Sequence, residues 1–125
     1  MRTTQRFFAA VALLLLTSVA LATEYTTQTS LTYFGRQGET RPIQPSTENH
    51  EFISFPSSAG WSVTGGSGGA ICPAGVAVLR ANDSTMRAIA LAAAVSGAVV
   101  VVNVDNSLPT VGGYCQITAL YIAGQ

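Results

Sequence analysis

The segment that decides the fold is residues 82–105, NDSTMRAIALAAAVSGAVVVVNVD. Its first part, residues 86–96, has five Ala and one Leu and contains no Gly or Pro, a composition that favours a helix. Short oxygen-bearing side chains at residues 82–85 supply N-cap chemistry, and Gly97 stands where a left-handed C-cap would. We therefore predict a packed helix of about three turns that ends at Gly97.

The hydrophobic period changes immediately after this helix. Residues 99–104 are five valines and one asparagine, a β-branched run that is typical of a strand buried on both faces or nearly so. Residues 88–102 carry no charge, but this stretch is too short for a membrane span, and Ser96 and Gly97 interrupt it. A buried helix followed by a buried strand is the favoured interpretation, so no stable membrane insertion is expected.

Other segments have the β-branched and aromatic content of strands, and turn-forming Gly and Pro residues separate them. They are Thr29–Phe34, Glu51–Phe55, Val76–Arg80 and Tyr114–Ile122, with residues 61–64 as a weaker candidate. Five main strands with the helix between strands 3 and 4 predict a mainly β domain, specifically a small five-stranded antiparallel OB-like barrel. A two-layer sheet with one helix on its face is the alternative.

The first 22 residues have the three-part pattern of a secretory signal peptide. Arg2 and Arg6 precede about ten mostly apolar residues (7–16), and the small-residue site Ala20-Leu21-Ala22 follows. The apolar run is shorter than the about 20 residues that a membrane anchor needs. We expect cleavage near Ala22, which leaves residues 23–125 as a single secreted or periplasmic domain.

Residues 23–125 carry four arginines and six acidic residues, a net charge of −2 with histidine neutral. A nucleic-acid-binding domain needs a basic footprint, so nucleic acid is not expected as a partner. Many Val, Ala, Ile and Leu residues can form a core, which argues against wholesale disorder. Composition therefore indicates a folded domain whose partner, if it has one, is not a nucleic acid.

The chain has two cysteines, Cys72 and Cys115. In an exported protein an even number of cysteines favours a disulfide, which here closes a loop of about 44 residues. The chain-entropy model gives that closure about 4 kcal/mol. A metal site would need more ligands than two distant cysteines and one histidine, and a redox pair would normally be Cys-x-x-Cys. We predict a structural disulfide, no metal and no cofactor.

The sequence shows no catalytic arrangement. The single histidine, His50, lies between Glu48 and Glu51, a pattern typical of an exposed segment. The glycine-rich run 65–69 lacks the Lys-Ser/Thr of a phosphate-binding loop, and no Gly-x-Ser-x-Gly nucleophile turn is present. The sequence therefore predicts a protein that is not an enzyme and has no catalytic residues.

A family resemblance lies in the C-terminal half. Its elements are Cys72, the helix that ends in Ser96-Gly97, the run Val99–Asp105, and Gly113-Tyr114-Cys115-Gln116-Ile117. This pattern over residues 70–123 resembles small exported bacterial proteins and the B subunits of AB-type bacterial toxins such as the subtilase type. The resemblance implies an OB-type fold, assembly into a five-membered ring and glycan recognition. No sugar-binding position of a toxin subunit matches a residue of this chain.

Binding is the remaining class of function. A sugar ring stacks on an aromatic face while short polar groups bind its hydroxyls. Tyr33, Phe34, Trp61 and Tyr114 lie at predicted strand ends or beside loops. Of these, Trp61 and Tyr114 are the ligand-binding candidates, and a place in the core or at the barrel rim is the alternative for each.

The favoured function is a secreted, non-enzymatic binding module for a glycan or a protein, assembled as a homo-oligomer through the Ala-rich surface of the helix. One alternative is a structural cell-envelope protein with no soluble ligand. Another is a small inhibitor of an exported hydrolase, with the loop 65–69 or 106–113 as its wedge. The sequence alone ranks these functions only weakly.

Overall fold

The structure, a computed structural model, describes residues 22–38, 47, 49–66, 72–80 and 82–124. The predicted signal peptide, apart from Ala22, and most of the glycine-rich run 65–69 lie outside these ranges. The described chain is mainly β with one helix, as predicted. Its elements are β1 (Glu24–Ser30), β2 (Tyr33–Arg36), β3 (Glu51–Ser54), β4 (Ser62–Gly65), β5 (Val76–Val78), α1 (Ser84–Ser96), β6 (Val99–Asp105) and β7 (Gln116–Ile122).

The strands form one open, mixed sheet of seven strands in the order β2-β3-β5-β7-β6-β1-β4. Neighbouring strands are antiparallel except β5 and β7, which are parallel. The five-stranded antiparallel OB-like barrel is therefore not confirmed. The predicted position of the helix is confirmed, because α1 lies between β5 and β6, which correspond to predicted strands 3 and 4.

The predicted first strand, Thr29–Phe34, is wrong as a single element. The chain leaves β1 at Ser30, buries Leu31 in the core and begins β2 at Tyr33. β1 pairs with β6 and β4, whereas β2 pairs with β3 near the opposite edge of the sheet. Both strands have β-forming composition, so local sequence could not show that the chain changes sides between them.

Helix α1 forms where the sequence predicts it because both of its ends are capped locally. The Asp83 carboxylate accepts a hydrogen bond from the Met86 N–H at 2.8 Å. Gly97 has a φ of 69°, and its N–H donates to the Ala93 carbonyl at 2.9 Å. Met86, Ala90 and Ala93 are buried against the sheet. In the described part of the chain no helix is long and apolar enough to cross a membrane.

The valine-rich strand β6 is fully buried on one face only. Val100, Val102 and Val104 are 0% exposed, whereas Val99 is 41% exposed and Asn103 is half-buried. The prediction that both faces of this strand are buried is thus correct for only one face. An antiparallel sheet can pack one face against the core and leave the other exposed to solvent. The polar residue of the run faces the less buried side, where its side chain hydrogen-bonds to β1.

The predicted disulfide is confirmed. Cys72 and Cys115 are bonded, both side chains are buried, and their Cα atoms are 5.6 Å apart. Each cysteine lies shortly before one of the two parallel strands, Cys72 before β5 and Cys115 before β7. The Val78 N–H also donates to the Cys115 carbonyl at 3.0 Å. The disulfide therefore joins the beginnings of two neighbouring strands at the centre of the sheet.

Candidate functional site

One face of the β2-β3-β5 part of the sheet carries Tyr33, one of the aromatic side chains that the sequence offers for binding, and Tyr114 lies beside it. Tyr33, Ser54 and Val76 are consecutive partners across these three strands. Gly35 and Phe52 are partners in the next row on the same face, because successive side chains of a strand alternate between faces. This face is turned away from Ile53, which is buried in the core.

Tyr33 is the most exposed aromatic side chain on this face, at 54%. Its ring lies over Gly35, since a Cβ added at that position would overlap the phenol ring. The glycine thus leaves space for the hydroxyl end of the ring, which lies nearest to it. A ring that is held at this end and is 54% exposed presents a stacking surface.

Tyr33 and Tyr114 line opposite sides of a groove in this face. Local structure holds Tyr114 in place. The Val111 and Tyr114 backbones exchange hydrogen bonds of 3.0 and 3.1 Å around Gly112 and Gly113, whose φ values of 59° and 86° suit a tight turn. The next residue is the disulfide-bonded Cys115. The Tyr114 ring therefore sits on a backbone restrained from both directions.

Phe52 packs against Tyr114 beneath the groove. The two rings are edge-to-face, with centroids 6.0 Å apart, and Phe52 is only 5% exposed. The groove has a volume of about 280 Å³, near the lower end of the roughly 300–1,000 Å³ typical of ligand clefts. We call it the Tyr33–Tyr114 groove; its described lining residues are Tyr33, Gln37, Thr47, Phe52, Ser54, Val76 and Tyr114.

Its described lining is polar as well as aromatic, and it is uncharged. Ser54 contributes a hydroxyl, which has no hydrogen-bond partner among the described residues, while Gln37 and Thr47 are engaged within the fold. Hydroxyl and amide groups can each donate and accept hydrogen bonds. The groove therefore combines two aromatic rings with short polar groups and suits a neutral, hydroxylated ligand.

The second predicted binding residue, Trp61, is not among the residues that line this groove. Its indole N–H donates to the Pro73 carbonyl at 3.1 Å, and its ring packs edge-to-face on Phe55 with centroids 5.3 Å apart. Phe34 is likewise partly buried against the core. Trp61 has a structural role in this fold, and its role in binding stays a prediction.

The sequence named Tyr114 and considered Tyr33, but it missed Phe52, Ser54 and Gly35. For Phe52 and Ser54 the local signal was the two-residue period of a strand at residues 51–55, which places both side chains on one face. Gly35 had no such signal. Their meeting with Tyr114 depends on the pairing of β3 with β5 and on the parallel β5–β7 contact. Those pairings join distant parts of the chain, so no local pattern contained the groove.

The outward face of α1 is apolar. Leu91 and Val95, four residues apart and therefore neighbours on the helix surface, are 53% and 81% exposed. This face is the one on which the sequence placed homo-oligomer contacts. A second copy of the chain packed on it stays a prediction, which light scattering of the purified protein checks.

No cluster of three His, Cys, Asp or Glu side chains that could hold a metal ion occurs within the described ranges. Comparison with known proteins adds no relative: no protein-family model, no curated protein and no solved structure matches this chain significantly. The resemblance to toxin B subunits therefore stays a prediction. The case for a function comes from the chemistry of the sites themselves.

Proposed function

We propose that this protein is a secreted or periplasmic, non-enzymatic binding module that holds an uncharged sugar unit of a glycan in the Tyr33–Tyr114 groove. The observation that carries the proposal is the exposed Tyr33 ring, supported by Gly35, beside the restrained Tyr114 ring. The faces of such rings stack on the C–H face of a sugar, and Ser54 is placed to bind a hydroxyl.

The size and charge of the groove support this class of ligand. A volume of about 280 Å³ accommodates one ring-sized unit and leaves the rest of a larger ligand outside. The described lining has no charged side chain, so neither an acidic nor a basic group would find its counter-charge there. A neutral glycan unit meets both conditions.

The same lining supports binding in preference to catalysis. Its described residues supply hydroxyl, amide and aromatic groups, without a carboxylate, an imidazole or a thiol to serve as acid, base or nucleophile. The buried Cys72–Cys115 disulfide supports an oxidising destination outside the cytoplasm, as the predicted signal peptide does.

The test uses the purified protein with its disulfide formed, first on an array of neutral oligosaccharides and then by calorimetry with the best ligand. Tyr33→Ala removes the stacking surface and should raise Kd about tenfold, which corresponds to about 1.4 kcal/mol. Tyr33→Phe retains the ring and should bind within a few-fold of the original protein. Gly35→Ala should also weaken binding, because the new methyl group displaces the Tyr33 ring.

Tyr121→Ala is the matched control, because Tyr121 is 49% exposed and lies on β7 outside the groove. Its Kd should equal that of the original protein. A blank array, or an equal loss of affinity in Tyr33→Ala and Tyr121→Ala, would remove the proposal. A hydrolase that co-purifies with the protein and is inhibited by it would favour the inhibitor function instead.

A further inference from the structure

A second depression lies on the opposite face of β2 and β3. Arg36 follows Gly35 and therefore points away from the Tyr33–Tyr114 groove, and its cross-strand partner is Glu51. The depression has a volume of about 90 Å³. We call it the arginine pocket; its described lining residues are Arg36, Asn49, His50, Glu51, Leu79, Arg80, Asn82 and Arg87.

The arginine pocket brings together positively charged residues that are far apart in the sequence. Residues 23–125 contain four arginines, and three of them line this pocket together with the single histidine of the chain. They come from separate parts of the chain: Arg36 from β2, Arg80 from the segment that follows β5 and Arg87 from α1. This concentration is not a by-product of a basic composition, since residues 23–125 carry a net charge of −2.

The pocket's own acidic residue neutralises only part of this charge. Glu51 lies 2.8 Å from the Nε of Arg87, with which it forms an ion pair. Arg36 donates to the side-chain oxygen of Asn49 at 3.3 Å, so its hydrogen bond is to a neutral partner, while Glu51 is its cross-strand neighbour. Arg80 has no side-chain partner anywhere in the described chain. Three guanidinium groups thus face one carboxylate.

Among the described residues, a further acidic group, Asp83, lies beside the pocket. The Asp83 carboxylate accepts the Met86 N–H at the beginning of α1 and lies in a neighbouring depression with Arg80. It is not among the residues that line the arginine pocket. With Asp83 counted beside Glu51, three guanidinium groups still outnumber two carboxylates among the described residues of the two depressions, so a net positive charge remains for an anion from outside.

The backbone around the pocket is also unusual. Asn49 and Asn82, with φ values of 58° and 66°, are the non-glycine residues with positive φ in the described ranges, and both line this pocket. Such conformations are disfavoured for most side chains and concentrate at ligand sites. Here Asn49 precedes β3, the partner of the strand that carries Arg36, and Asn82 precedes α1, which carries Arg87.

We infer that the arginine pocket binds an oxyanion: the sulfate, phosphate or carboxylate group of a ligand. Guanidinium groups match such groups with two parallel N–H donors, and the resulting charge-assisted hydrogen bonds are stronger than neutral ones. A volume of about 90 Å³ is a few times the roughly 30 Å³ share of one water molecule, which suits one small anionic group and excludes a drug-sized ligand. The inference is independent of sugar binding, because the two sites share no described lining residue.

The test is calorimetric titration of the purified protein with sodium sulfate, sodium phosphate and sodium acetate, at constant ionic strength maintained with sodium chloride. At least one of the three anions should bind with one site per chain and raise the thermal midpoint. Arg80→Gln should raise Kd about tenfold or more without unfolding the protein, since the Arg80 side chain has no partner in the fold. Arg80→Lys keeps the charge but loses the planar guanidinium group, so its Kd should lie between those of the original protein and Arg80→Gln.

Gln28→Glu is the matched control, because it changes the net charge by the same amount at an exposed position of β1 outside the pocket. Its Kd should stay within about twofold of the original value if local contacts and not overall charge hold the anion. Tyr33→Ala should bind the anion normally, which separates this site from the groove. No binding of any of the three anions, or equal losses in Arg80→Gln and Gln28→Glu, would overturn the inference.

Discussion

Removal of the disulfide is the most direct test of how this fold is stabilised. The double variant Cys72→Ala/Cys115→Ala opens a loop of 43 residues in sequence separation, which contains β5, α1 and β6. In the chain-entropy model the bond contributes about 4 kcal/mol by restricting the unfolded chain. Domains of this size have a total stability of only about 5–15 kcal/mol, so the loss is a large fraction of the whole.

The expected change in the thermal midpoint follows from this value. In a domain of about 60–100 residues, 1 kcal/mol shifts the midpoint by about 4–8 °C, so loss of the disulfide should lower it by about 15–30 °C. The alanines also remove two buried sulfur atoms and leave space in the core. The reduced original protein separates the two effects, because its thiols fill nearly the same volume without the bond.

The assay is thermal unfolding followed by circular dichroism, with and without reductant. The oxidised original protein should melt highest, the reduced protein well below it, and the double variant at or below the reduced protein. Reductant should not change the double variant. If the reduced protein and the double variant both melted within about 5 °C of the oxidised protein, the loop-closure argument would be refuted.

Two further predictions concern β7 and α1, and urea unfolding measures both. Ile117→Ala should cost about 2–5 kcal/mol because Ile117 is 0% exposed. Ile122→Ala, its matched control at 47% exposure, should cost less than about 0.5 kcal/mol, and equal costs would contradict the burial assigned to the two ends of the strand. Asp83→Ala should cost about 1 kcal/mol by removing the N-cap hydrogen bond to Met86, whereas Asp83→Asn should keep most of it. An Asp83→Ala variant as stable as the original protein would show that this hydrogen bond contributes nothing.

The two proposed sites lie on opposite faces of β2 and β3 and depend on different residues. Sugar binding depends on Tyr33 and Tyr114 on one face of β2 and β3, whereas oxyanion binding depends on Arg36, Arg80 and Arg87 on the other. Loss of one activity with retention of the other is therefore a stronger result than loss of both, which would indicate damage to β2–β3 pairing. Arg80→Gln and Tyr33→Ala form a reciprocal pair for this purpose.

Helix α1 and the disulfide were predictable because short-range or compositional rules decide them. The helix is bounded by Asp83 and Gly97, whose capping groups act on backbone atoms within a few residues. With two cysteines and a predicted signal peptide, a single pairing was available. The valine run of β6 identified a strand for the same reason, since β-branched side chains favour an extended backbone wherever they occur.

The arrangement of the strands was not predictable, because hydrogen bonds between distant segments decide it. Residues 29–34 look like one strand, yet Ser30 pairs with Val99 in β6 and Tyr33 pairs with Ser54 in β3. The segment therefore contributes two strands, β1 and β2, to different parts of the open sheet. A local composition that fits either strand carries no information about which partner is chosen.

The sequence by itself thus determined a mainly β chain with one capped helix, a disulfide and an overall shortage of charge. Only the tertiary structure decided that Tyr33 shares a groove with Tyr114, and that Arg36, Arg80 and Arg87 share a pocket. Those side chains are separated by many residues and meet because β3 lies between β2 and β5 while α1 packs across the sheet. The sequence shows which chemical groups these side chains carry, but the order of the strands in the sheet decides which of them lie close together.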